Sequence, residues 1–146
     1  MTVRFRRCLL FALVVWLLPV SVLAQSSGSE SVFRSQFIDL HSKAIAVFER
    51  VKNADLRGIP RQQTLEELFA LVRLVHRLEE EAGATNLQLI QRGQPSSKRL
   101  LLVQQASNAL DGMLAALSHY IESEDRAFLG FATDSNALVW SIRKVM

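Results

Sequence analysis

Three histidines, His41, His76 and His119, are the side chains in this sequence best suited to hold a metal ion or move a proton. Each stands next to an apolar position of a helical pattern: Leu40, Val75 and Tyr120. If the helices run up and down, at about 1.5 Å of rise per residue, His41, His76 and Asp111 come to similar heights. A zinc or copper site built from His41, His76 and Asp111 is therefore geometrically allowed. The competing expectation, and the stronger one, is that histidines flanking a core face water or backbone. Carboxylate-bridged di-metal bundles need Glu-x-x-His on facing helices. Ile38, Arg73 and Ala116 occupy the glutamate positions here, so that pattern is absent. Haem held between helices needs two axial ligands, and Met113 and His119 share one helix. His76 with Met113 is the remaining pair, and nothing else supports it. No cofactor is expected.

Other reactive patterns are missing. There is no G-x-S-x-G, no phosphate-cradling glycine loop, no H-E-x-x-H and no EF-hand loop. The acidic run Glu79, Glu80 and Glu81 reads as a solvated helix face, with His76 and Glu80 four apart. The single cysteine, Cys8, lies in a segment expected to be removed, leaving no thiol for disulfides, metal or catalysis. These observations predict a non-enzymatic protein.

That first segment, 1–24, has the parts of a secretory signal peptide. Arg4, Arg6 and Arg7 form a basic start, 8–18 is an unbroken apolar run, and Pro19 breaks it before Ala24. Cleavage before Gln25 is expected, in preference to retention as an anchor, because the apolar run is short for a bilayer span. The mature domain, 25–146, is then expected in a periplasm or outside the cell, with no stable membrane span. From Gln25 onward the sequence holds 14 Lys plus Arg and 14 Asp plus Glu, a difference of 14 − 14 = 0. Neutral, mixed charge gives no electrostatic case for nucleic acid, which needs a basic stripe, and none is expected as a partner. A net charge near zero favours self-association.

The elements that position these residues read as helices throughout. The organising stretch is 98–123. There Val103, Ala106, Leu110, Met113, Leu117 and Tyr120 recur at steps of three and four and draw one apolar stripe. Leu102, Leu114 and Ile121 widen it to the breadth of a core-facing helix. Such a helix is stable only when packed. A first helix ending near Ala54 carries Phe33, Phe37, Leu40, Ala44, Val47 and Val51, with a capping box at Ser27 and Glu30. The second carries Leu68, Leu71, Val75, Leu78, Ala82 and Leu89, with a capping box at Thr64 and Glu67. Gly83 falls inside its stripe, which continues in phase to Leu89, so the helix is expected to pass through it and stop at Gly93 and Pro95. Ser96 or Ser97 caps the third. Ala109, Gly112 and Ala116 form a small-residue patch that suits close approach of a neighbouring helix. A fourth helix over 126–145 is expected to break near 130–134, where Thr133, Asp134 and Ser135 interrupt the stripe.

Four amphipathic segments with short loops predict an all-α, antiparallel up-and-down four-helix bundle. With catalytic signatures absent and coiled-coil-like stripes present, the function expected is protein binding or self-association. Phe128, Phe131 and Trp140, in the least regular helix, are the expected partner-binding residues. The alternative is a periplasmic metal- or cofactor-binding bundle using His41 and His76.

Overall fold

The computed structural model describes residues 3–146, with side chains from residue 28 onward. Its helices are α1 (Val3–Asn53), α2 (Arg61–Gln91), α3 (Lys98–Ser123) and α4 (Arg126–Arg143), with no strand among the described residues. The chain divides into two units, Met1–Val32 and Phe33–Met146. The second is an antiparallel up-and-down four-helix bundle. The expected signal peptide lies outside the residues whose side chains are described. Among the described residues no helix is long and apolar enough to cross a membrane.

The third helix is the centre of the bundle. Twelve of its 26 residues are buried, against two of 18 in α4. Both α2 and α4 pack closely against it. Leu110, Met113, Leu114 and Leu117 are all 0% exposed. Truncating any one to alanine should cost about 2–5 kcal/mol, because the surrounding layer collapses only partly into the space left. Phe37, Val47, Phe48 and Val51 of α1, Leu68, Val75 and Ala82 of α2, and Ala132 and Val139 of α4 join it in the core.

The ends of the helices follow local chemistry. Gly93, with φ 73°, closes α2 in a left-handed residue: its amide donates to the Ile90 carbonyl at 2.9 Å and Gln94 donates to Leu89 at 2.9 Å. This double bond satisfies carbonyls that the helix leaves over. The Ser97 hydroxyl accepts from the Leu100 amide at 3.2 Å and caps α3. Asp125 caps α4 in the same way through the Ala127 amide, 2.9 Å away. Between α1 and α2, Asp55 caps a short 3-10 turn, Leu56–Gly58, and Leu56 and Ile59 tuck into the core.

Three local expectations need correction. The second helix begins at Arg61, so Thr64 is interior; its hydroxyl donates back to the Pro60 carbonyl at 3.0 Å, while Glu67 pairs with Arg50 of α1. Ser27 and Glu30 lie within α1 and do not start it. The fourth helix does not break at 130–134. The Thr133 hydroxyl donates to the Leu129 carbonyl at 2.8 Å, satisfying its own polarity inside the helix instead of capping a new one.

Gly83 lies within α2, as its stripe requires. A β-carbon there would come within 2.7 Å of the Gln104 side-chain nitrogen of α3, so the glycine gives room where the two helices touch. At Gly112, where α3 meets α4, a β-carbon would stand 3.6 Å from Ser135 Oγ, an ordinary contact that does not require glycine.

Candidate functional site

A buried polar arrangement lies where α4 meets α1. On α1, Phe37 and His41 are one turn apart, and their rings stack at 5.9 Å with 21° between planes. On α4, Asn136, Trp140 and Arg143 follow at steps of four and three, which places them on one face. That face meets His41, which is 0% exposed. Trp140 presents its ring edge-on to the imidazole at 5.0 Å and 67°. The Arg143 guanidinium lies 4.8 Å from the Trp140 ring centre, a cation–π distance.

Donor chemistry assigns the proton on His41. The Arg143 Nη1, 3.2 Å from Nδ1, can only donate, so Nδ1 must accept. The hydrogen then resides on Nε2, which donates to Asn136 Oδ1 at 3.3 Å. Burial holds the imidazole below its ordinary pKa; the Asn136 bond opposes this in part, and the Arg143 charge adds to it. His41 is therefore a neutral imidazole with both nitrogens engaged. Neither has a lone pair left for a metal ion.

His76 and Asp111 do meet. Their Nε2 and Oδ1 are 3.2 Å apart across the α2–α3 seam, at the common height read from the sequence. His41 does not join them. Among the described residues no group of three His, Cys, Asp or Glu side chains is placed to hold a metal ion. His119 lies 3.8 Å from Glu122 and rests against the Phe128 ring at 5.2 Å.

The three expected partner-binding residues divide between two faces. Phe131 is 60% exposed. Phe128 is half-buried between His119 and Phe131. Trp140 is nine residues beyond Phe131, which is half a turn out of phase at 100° per residue, so it closes on α1 instead. The outer face of α4 carries Phe131 and Leu138, exposed by 60% and 53%, and Val145, 70% exposed, follows in the turn just after the helix. They stand seven residues apart and form one stripe, with Gly112 of α3 close beside Ser135 on its flank. A groove of about 410 Å³ also runs between α1 and α2. Its walls mix Asp39 and Glu81 with Lys43 and Arg77, so it selects no ligand charge.

Sequence reading missed Asn136, Arg143 and Asn86. Each is a polar residue at a core-facing phase of its helix, and that misplacement was the signal available. Comparison with protein-family models, curated proteins and solved structures finds no match.

Proposed function

We propose that this protein is an exported, non-enzymatic helical bundle that works by binding, either to a protein partner or to another copy of itself, through the outer face of α4. The observation that carries the reading is the exposed stripe of Phe131, Leu138 and Val145. Large apolar side chains seven residues apart on a solvent-facing helix, continued by Val145 in the turn that follows it, suit insertion beside a second helix. Export is supported by the basic, apolar and small-residue order of 1–24, and self-association by the balanced charge of 25–146.

The test is Leu138→Glu, which places a charge at the centre of the stripe without touching a buried residue. Sedimentation of the purified protein and chemical cross-linking in the exported fraction should both show loss of a complex, with the helical circular dichroism unchanged. A wild-type protein that is monomeric and cross-links to nothing would overturn the reading. So would a complex that survives Leu138→Glu and Phe131→Ala together.

A further inference from the structure

His41 is buried and takes no part in the exposed stripe, yet it contacts three side chains of α4 and one of α1: Asn136 and Arg143 by hydrogen bonds, Trp140 and Phe37 by ring contacts. We propose that His41 is a proton-operated latch that fastens the C-terminal half of α4 to α1 and releases it in mild acid. The latch rests on the α1–α4 geometry and does not depend on what binds the outer face of α4.

The neutral ring is the only form that fits. Nδ1 holds a lone pair that accepts from Arg143, and Nε2–H donates to Asn136. A proton arriving from solvent would add to Nδ1 and use that lone pair. The guanidinium would then face an N–H in place of an acceptor, and two cations would stand about 3 Å apart with no counter-charge between them. The Asn136 bond survives protonation, since Nε2 still donates, so the strain falls on Arg143. Because Arg143 also covers Trp140, its departure loosens the ring that seals His41 from water.

Among the described residues no carboxylate bonds the ring to neutralise the charge. Arg143 is what α4 presents to the ring, besides the uncharged Asn136 and Trp140. On α1, Asp39 and Lys43 flank His41 in sequence but close on each other at 2.6 Å at the surface. Between α2 and α3, His76 is engaged with Asp111, and no charged group of either helix bonds the ring. Burial and Arg143 lower the affinity of the closed state for a proton, whereas in the open state the ring regains its ordinary pKa of about 6.5. The sign follows: the open state binds the proton more readily, so the closed state is fully favoured above about pH 6.5 and loses ground as the pH falls below it.

Hydrogen exchange on the full chain tests this, read by mass spectrometry on peptides covering 136–143 between pH 7 and pH 5, with rates corrected for intrinsic pH dependence. The opening equilibrium at 136–143 should rise by up to about tenfold for each pH unit below about 6.5, then level off once the closed state also protonates. Peptides of α2 and α3 should keep their protection. His41→Gln, which cannot titrate, should abolish the pH response. If that variant does not fold, Arg143→Gln keeps a donor for Nδ1 while removing the charge, and it should raise the midpoint of the His41 imidazole titration followed by NMR. Unchanged protection at 136–143 down to pH 5 would overturn the proposal. Equal loss in all four helices, an equal response in His41→Gln, or a wild-type His41 that titrates at or above the ordinary value would also overturn it.

Discussion

Trp140 and Phe131 are both large aromatic residues of α4 that show part of their surface to water, but replacing each with alanine should have opposite consequences. Trp140 is 41% exposed. Roughly three-fifths of a side chain of about 250 Å² is therefore covered, or about 150 Å². At about 25 cal/mol per Å² that burial is worth about 4 kcal/mol. Residual compactness of the unfolded chain removes about a third of it. The ring contacts with His41 and Arg143 add about 1 kcal/mol, and alanine's helix propensity returns about 0.5 kcal/mol to the variant. The net loss for Trp140→Ala is about 3 kcal/mol. Phe131 is 60% exposed, and the same reasoning on a side chain of about 200 Å² leaves about 1 kcal/mol. In urea, with a slope of about 1.5 kcal/mol per molar, Trp140→Ala should lower the midpoint by about 2 M and Phe131→Ala by well under 1 M. Association should respond in the reverse order, weakened by Phe131→Ala. Equal midpoint shifts for the two variants would refute the assignment of Trp140 to the α1 contact.

Five further substitutions probe the α2–α3 hairpin. Asn86 is buried and accepts from the Ser97 amide at 2.8 Å while donating to Ser96 at 3.0 Å; Asn86→Ala should lower stability by about 2 kcal/mol in urea unfolding, and Asn86→Asp, which keeps the acceptor, by less. Gly83→Ala should raise stability, by up to about 1 kcal/mol in urea unfolding, because the Gln104 amide that its β-carbon meets ends a flexible side chain and can swing aside; a loss would show that Gln104 is pinned. Ser107 is fully buried and its hydroxyl has no hydrogen-bond partner among the described residues, unlike Ser118, which donates to the Leu114 carbonyl at 3.0 Å. Ser107→Ala should therefore be neutral or stabilising by up to about 1 kcal/mol, and Ser118→Ala should not, as a thermal melt of both would show.

The period of the apolar stripes made α3, the passage of α2 through Gly83 and the stop at Gly93 legible, because each depends on a residue's own helix. The His76–Asp111 pair was legible for a related reason: heights along antiparallel rods can be counted from the loops. What could not be read was rotation. Whether His41 turns toward α2 or α4 depends on how neighbouring helices are set about their axes, and no spacing within α1 contains that. The break expected at Thr133 failed because a threonine can satisfy itself on the preceding turn as well as cap the next. Trp140 is different. Its nine-residue distance from Phe131 already placed the two on opposite faces, so grouping them as one surface set aside information the sequence held.

The bonds from His41 to Asn136 and Arg143 span 95 and 102 residues of chain, whereas Asn86 reaches Ser96 across only 10. Near contacts form at small entropic expense and distant ones wait for the intervening chain to be ordered. The α2–α3 hairpin can accordingly nucleate by itself, and docking of the last helix onto the first becomes the closing event of assembly. During synthesis that event cannot begin until the last helix has emerged, so the side of α1 that α4 covers stays open longest and is where a chaperone would have most to hold.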